Sequence, residues 1–516
     1  MGQFHQQLLD PSTYPEVTRS VAFKETHISR IYLTDQYVYK LKKPLNLGFL
    51  DFSTLEKRRH FCHEEVRLNQ RFSTDIYLGV VELRLRRGKV CFGRQGELLD
   101  YAVHMRRLPE SRMLNRLIAT DSPGLAEDMT RLGVALHALM DQAEACRNET
   151  VRNLDVVKQN CAENFLQTRA AVGTILSAEG HALMEQVTQR DLSELAGIIR
   201  RREIEGFVRD GHGDLHTANI CMTDTICIYD CIEFNRRFRV ADITADLAFL
   251  LMDLEFLGRR DLADILLAHY LNYREDPDVM SLLPFYKRYR AWVRGKVDAI
   301  LATSADASEA TRNTSGELAR RYFNLALGYL LKPTLFLTCG LMGVGKTTLA
   351  RALAAATGAT HWRSDVVRKQ LAGLPQEQAC LDDFDAGLYQ QAMTERTYHE
   401  LFKRTAKLLA AQCSVIVDAS FAREAERQRF MHLADQSGCP VWLVHLECPE
   451  AVALARLDSR RGDASDGRRE LFAKQREGFD QLTAVGHIVK VDTSLPVDYN
   501  VQSLLCTVLT DQEQLS

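Results

Sequence analysis

The apolar run Thr334–Thr338, "TLFLT", passes into "GLMGVGKTT", Gly340 to Thr348, and then into "LARALAAATG", a strong helix former. A strand, a glycine-rich turn and a helix in that order leave the backbone few alternatives. Gly340, Gly343 and Gly345 permit a tight turn in which successive N–H groups and the following helix N-terminus face one point, the place for a phosphate chain. The spacing fills G-x-x-x-x-G-K-[ST] completely. It predicts that Gly340, Gly343, Val344, Gly345, Lys346, Thr347 and Thr348 surround the phosphates of ATP. Lys346 would reach the β and γ phosphates, and the Thr347 hydroxyl would ligate Mg²⁺.

After this loop the chain alternates short apolar strands with helices, as in "CSVIVDAS" and "VWLVHLEC", the pattern of a parallel sheet wrapped by helices. Asp365, in "HWRSDVVRKQL", stands just past the end of a second predicted strand, where it can orient or deprotonate an acceptor hydroxyl. Asp418 ends the apolar strand "VIVD" and suits the magnesium hydration shell. Arg456 and Arg460, with Arg461 beside them, lie at helical spacing and can neutralise charge on a transferring phosphoryl group. From Thr334 onward the chain resembles the small P-loop kinases of the gluconate kinase, polynucleotide kinase and zeta-toxin group. That resemblance implies a lid from about Ala455 to Arg469, an acceptor role for Asp365, and a position near the nucleotide base for "VDTS", whose Asp492–Ser494 would lie closest.

A chain of 516 residues exceeds what one core supports, so two or three domains are expected. The 46% hydrophobic and 26% charged content, with no low-complexity tract, excludes a disordered chain. A net charge of -3 removes the broad basic footprint of a dedicated nucleic-acid binder. Thirteen cysteines without a C-x-x-C pair suggest reduced thiols rather than disulfides or structural zinc. "MGQFHQQLLDP" lacks the blocks of a signal peptide, and no apolar run is long enough to span a bilayer, so the expected location is the cytoplasm.

Residues 23 to 108 read as a small β lobe with one helix. "SRIYLTDQYVYKLKK" forms two alternating segments around a turn, a helix follows through "STLEKRRHFCHEEVRLNQRF", and further strands run to Leu108. Helical periodicity then dominates, and Thr303–Glu317, rich in Ser, Thr and Ala, reads as a surface loop.

Between the helical stretches sits "GHGDLHTANI", Gly211 to Ile220. Asp214 and Asn219 fit H-x-D-x-x-x-x-N, in which the Asp accepts the proton of an attacking hydroxyl and the Asn binds metal. The hairpin through "ICIYDCIEF" should return an acid to the same place, and Asp230 and Glu233 are both candidates. They differ by three positions, so a regular strand cannot point both the same way. Upstream, Lys40 on a strand is the candidate phosphate lysine, with Lys42 its same-face alternative. Glu65, with Glu64 second, is the helical acid that should hold it.

Residues 20 to 300 resemble the aminoglycoside phosphotransferase and choline kinase branch of the protein-kinase-like fold. The resemblance implies an adenine-contacting hinge at Tyr101–Pro109 and a structural acid segment at Asp242 and Asp246. One departure is clear, since no G-x-G-x-x-G precedes Lys40 and "THISRIYLTD" has no glycine.

The expected architecture is therefore α/β and α+β. A bilobal protein-kinase-like domain would occupy 1–331 and a P-loop kinase domain 332–516, as in bacterial two-domain proteins of this kind. The expected function is Mg²⁺- and ATP-dependent phosphotransfer at two sites to hydroxyls of small polar molecules such as sugars, amino-sugars or nucleosides. Two other readings stand beside it: a polynucleotide or nucleotide kinase in the P-loop domain, with Arg460 and Arg468 gripping phosphates, and a non-catalytic nucleotide sensor. A small-molecule acceptor is favoured over nucleic acid, and no membrane partner is expected.

Overall fold

The computed structural model describes residues 4–48, 50–147, 152–273, 275–305, 307–375, 390–459, 469–482 and 486–514. They form two compact units, one of Met1–Asn160 with Leu192–Lys287, the other of Cys161–Asp191 with Arg288–Ser516. Among the described residues no helix is long and apolar enough to cross a membrane.

After a short helix at His5–Leu8, the first unit forms six strands, β1 (Ala22–Glu25), β2 (Ser29–Leu33), β3 (Tyr37–Lys42), β4 (Tyr77–Arg86), β5 (Lys89–Phe92) and β6 (Glu97–Arg106). They pair antiparallel in the order β1-β2-β3-β6-β4-β5. The two expected strands form as β2 and β3, but burial does not alternate along them, since Tyr39 through Lys42 are all buried and β3 is covered on both faces. The turn between them closes through Thr34 N donating to Tyr37 O at 2.9 Å. The helix Leu55–Asn69, N-capped by the Thr54 side chain, packs Cys62 and Val66 against Tyr77 and Val103 of the sheet.

Downstream, β7 (Val208–Asp210) pairs with β10 (Val240–Asp242), and β8 (Ile220–Met222) forms a hairpin with β9 (Ile226–Ile228). The helix Ile243–Phe256 is buried from Ile243 through Glu255, and its all-round apolar composition is what such a position requires. Its buried acids Asp246 and Asp253 face the loop between β7 and β8, where backbone amides satisfy them.

The second unit holds a five-stranded parallel sheet of β11 (Leu335–Cys339), β12 (Thr360–Arg363), β13 (Val415–Asp418), β14 (Val441–Glu447) and β15 (His487–Asp492). The order is β12-β13-β11-β14-β15, so the chain leaves β11 to either side. That places the β11 loop at a switch point, outside the carboxyl ends of the strands, where open α/β sheets bind ligands. Thr338 and Arg363 both stand in register with Asp418, so three strands end side by side there.

The Ser/Thr-rich segment 303–317 departs from the loop expectation. A helix runs from Glu309 to Gly328, because the Ser308 side chain caps it by accepting from Thr311 N. Ser and Thr favour helix N-caps as well as loops, so their abundance here marks the start of a helix. That helix packs on the one following the P-loop, and Gly328 is essential to the approach, since an added Cβ would stand 2.0 Å from Ala356 O.

Candidate active sites

In the first unit Lys40 and Lys42 project from one face of β3 onto a single carboxylate. Glu65, fully buried on the helix Leu55–Asn69, meets Lys40 Nζ at 2.8 Å through Oε1 and Lys42 Nζ at 2.7 Å through Oε2. Lys40 also meets Asp230 Oδ1 at 2.5 Å, and Lys42 also bonds Glu233. Glu64, the second choice for the helical acid, faces Arg67 instead.

Asp230 and Glu233 therefore both reach the lysines, contrary to the alternation expected of a regular strand. The reason is local: β9 ends at Ile228, and Asp230 takes a left-handed backbone with φ +64°. Its N–H donates to the hydroxyl of Tyr77 at 3.0 Å, a partner that no sequence spacing announces.

Burial works against the charges in this row, and the pairing outweighs it for three of the groups. Lys40 is held well above its ordinary pKa by Asp230 and Glu65, and Lys42 is raised by Glu233 and Glu65. Burial would raise Glu65, yet the two ammonium groups hold it down at about 2. Glu233 is raised, burial there outweighing the pull of Lys42.

Asp214 and Asn219 lie on the loop between β7 and β8. Asp246 accepts the N–H groups of both His212 and Gly213, and Asp253 accepts the backbone N–H and the side-chain O–H of Thr217. Gly211 leaves room for this clamp, since a Cβ there would stand 2.5 Å from Asp246 Oδ2. Gly213 is left-handed at φ +82°.

His212 is buried, and its pKa is lowered by that burial. Its Nε2 donates to Tyr229 O at 2.9 Å while Nδ1 accepts from Asp214 N at 3.2 Å, a pairing that requires the Nε2–H tautomer. Through Tyr229 this ring stitches the Asp214 loop to the segment carrying Asp230. His216 Nε2 stands 3.5 Å from Asp214 Oδ2, and Asn219 Nδ2 donates to Asp214 O at 3.0 Å. Asn219 and Asp230 supply amide and carboxylate oxygen, the donor type that Mg²⁺ takes. Where a glycine-rich loop would lie, β1 and β2 are joined by a tight turn closed by Thr26 N donating to Ser29 O at 2.9 Å.

In the second unit, Gly340, Gly343 and Gly345 have φ of +141°, +80° and +92°. An added Cβ would approach Leu446 O to 2.6 Å at Gly340 and Ala453 O to 2.6 Å at Gly343. The helix Lys346–Thr357 starts immediately after Gly345 without a side-chain cap, which leaves its first amides to the loop's concave side. Lys346 Nζ donates to Gly340 O at 3.0 Å and Leu341 O at 2.7 Å. Thr348, in that first turn, is exposed.

Asp418 is nearly buried at the end of β13. Burial would raise its pKa, but hydrogen bonds from His361 and Thr347, with Lys346 nearby, lower it. His361 Nε2 stands 3.2 Å from its Oδ2. His361 and Arg363 share a face of β12, an alternation in "HWRSD" that could have flagged both beside Asp418. With the Thr347 hydroxyl, Asp418 offers the oxygen donors that Mg²⁺ takes. Asp365 lies in the first turn of the helix Ser364–Leu371, two residues past the position in register with Asp418.

Arg456, on the helix Glu450–Ser459, donates to Thr493 Oγ1 at 3.1 Å and Thr493 O at 2.7 Å. The Thr493 hydroxyl in turn donates to Val344 O at 2.7 Å, which ties "VDTS" to the loop. Arg460, Arg461 and Arg468, and with them residues 460–468 of the expected lid, lie outside the described residues.

A family model described as "Phosphotransferase enzyme family" matches residues 62–283, and one described as "AAA domain" matches residues 335–482. Uncharacterized proteins of Mycobacterium tuberculosis and Mycobacterium bovis are 30% identical over 488 residues, covering 93% of this chain and 93% of theirs. A choline/ethanolamine kinase family protein from Mesorhizobium loti shares 12% identity over 62% of this chain and 95% of its own, with a TM-score of 0.38. A gluconokinase from Sinorhizobium meliloti shares 21% over 36% of this chain and 95% of its own, with a TM-score of 0.27.

Proposed function

The chain belongs to the same family as these mycobacterial proteins, an ATP-dependent kinase joining a phosphotransferase-family domain to a P-loop kinase domain, and from that premise we propose that both domains transfer phosphate. The acceptors are hydroxyls of small polar molecules of the sugar, amino-sugar or nucleoside class. One observation carries the two-site reading: the first unit retains a complete charged row, in which Lys40 stands 2.8 Å from Glu65 and 2.5 Å from Asp230. Lys40 and Asp230 stand at the exposed end of that row, where a phosphate lysine and a metal-holding acid are needed for phosphoryl transfer.

In the first site Asp214 takes the proton of the acceptor hydroxyl, and its 35% side-chain exposure leaves it open to one. His216 and Asn219 hold that carboxylate in place. Lys40, steadied by Glu65, meets the nucleotide phosphates. Asn219 and Asp230 would hold Mg²⁺, which supplies charge neutralisation to the phosphates when bound.

In the second site the amides of Gly343 to Thr348 cradle the phosphates, and Lys346 leaves its own loop's carbonyls to meet the terminal phosphate. Thr347 and Asp418 are the oxygen donors there. Asp365 addresses the acceptor hydroxyl. Arg456, held on Thr493 beside the loop, guards the nucleotide, and Arg460 is assigned to the transferring phosphoryl group. The functional division falls between 331 and 332, with every candidate of the first site before it and every candidate of the second after it.

Calorimetric titration of the full chain with a non-hydrolysable ATP analogue and Mg²⁺ tests this. Two bound nucleotides are expected, one remaining in Lys346→Ala and the other in Lys40→Met. A single nucleotide, lost entirely in Lys346→Ala, would leave the first unit without this role.

A further inference from the structure

Five side chains of the first unit alternate in charge along one row: Asp230, Lys40, Glu65, Lys42 and Glu233. The two ends differ in access. At the outer end the Lys40 and Asp230 side chains are 10% and 43% exposed, whereas at the inner end those of Lys42 and Glu233 are 0% and 4%. Phe52 closes the inner end, its ring centroid 4.8 Å from Lys42 Nζ. Lys40 and Lys42 share a strand face, so spacing alone cannot say which meets a nucleotide. Depth can.

We propose that Lys42 and Glu233 form a sealed ion pair that positions Glu65 and the Asp230 segment, and that only the outer pair, Lys40 and Asp230, meets the nucleotide and its metal. The proposal rests on reading this unit as a phosphoryl-transfer site. An ammonium with no accessible surface cannot exchange a carboxylate for a phosphate without leaving a buried charge uncompensated, which is strongly unfavourable. Lys40 keeps Glu65 as a partner when Asp230 turns away, so the outer end can exchange. Glu233 follows Asp230 by three residues, and its bond to Lys42 fixes the end of that segment to β3. Lys42 is thus a positioning residue that ties the strand of the phosphate lysine to the segment of the metal acid.

An acyl phosphate of ATP tests this on the unmodified chain. The amine of a nearby lysine attacks the acyl carbonyl, forms an amide and releases ATP, and mass spectrometry identifies the lysine. Label is expected on Lys40 and on Lys346, with none on Lys42, and excess ATP with Mg²⁺ should suppress it. Label on Lys42 overturns the proposal. Label on Lys346 but on neither Lys40 nor Lys42 overturns the reading of the first site, and this proposal with it.

A second measurement separates the two failures. In a Lys346→Ala background, Lys42→Met combined with Glu233→Gln removes two opposite charges together. The folded variant, compared with its own affinity for ATP alone, should lose about tenfold of the affinity that Mg²⁺ adds, as for groups that support metal ligands. An undiminished Mg²⁺ gain overturns the positioning role while leaving the site itself intact. The labelling decides the matter if this variant does not fold.

Discussion

Asp246 Oδ2 accepts the backbone N–H of His212 at 2.7 Å, from a helix that begins more than thirty residues later in the chain. Its other oxygen takes the N–H of Gly213 at 2.9 Å, so one buried carboxylate sets the backbone from which Asp214 projects. Asp246→Ala removes both acceptors, each worth about 1.5–3 kcal/mol as a hydrogen bond to a charged group. Gly211→Ala strikes the same carboxylate from the other side. Each variant should reduce Asp214-dependent turnover by about tenfold or more, with Lys346-dependent turnover unchanged. Steady-state rates on the two acceptors check this.

The P-loop glycines carry a separate prediction. Gly343→Ala demands a left-handed alanine with its Cβ 2.6 Å from Ala453 O. Strain of this type is worth about 1–3 kcal/mol before the contact is counted. Nucleotide binding at the second site should weaken by about tenfold or more, and the first site's affinity should stay as it was. Titration in a Lys40→Met background isolates the affected site.

Glu65 gives the expected pH dependence. Burial would raise its pKa, but Lys40 and Lys42 hold it at about 2, against an ordinary value of 4.5. The folded value is the depressed one, so ionised Glu65 contributes stability above the ordinary value, and that contribution is lost as pH falls from 4.5 through about 2. The advantage of the wild-type chain over Glu65→Gln in amide protection along β3 should narrow across that window. Hydrogen exchange is the suitable probe, because Trp292, Trp362 and Trp442 all belong to the second unit and report only on it. An advantage that widens on acidification would contradict the assignment.

Cutting the chain before residue 332 should damage the second unit. Phe323, Leu325 and Leu327 are buried within it, Asn324 Nδ2 donates to Asp498 O at 2.9 Å, and Gln502 donates to Asn324 at 3.1 Å. Each buried Leu or Phe contributes about 1.5–3 kcal/mol. A fragment of 332–516 should therefore unfold at a lower temperature than the same unit in the full chain, or aggregate, as tryptophan fluorescence during heating would reveal.

The phosphate loop was legible because its signature is local: three glycines, a lysine and two threonines at fixed spacing define the turn before any tertiary contact forms. Lys40 and Glu65 were legible by order along the chain. Asp230 and Glu233 could not be separated, because a left-handed residue after Ile228 breaks the alternation on which the choice depended. Ser308 turned an apparently polar loop into a capped helix. The contact of Gly328 with Ala356 lies beyond any periodicity, since packing between helices follows from which small residues meet. The partners of Asp418 come from separate elements, His361 from β12 through its parallel register with β13 and Thr347 from the first turn of the helix Lys346–Thr357.

The proposed function requires two phosphoryl-transfer sites that act separately. The direct measurement is to incubate a metabolite extract with ATP and Mg²⁺ and the full chain, then compare its phosphorylated products by mass spectrometry with those of Asp214→Asn and Lys346→Ala. Two sets of products are expected, one lost with each variant and retained with the other. Products that vanish together in Lys346→Ala and persist unchanged in Asp214→Asn would contradict it.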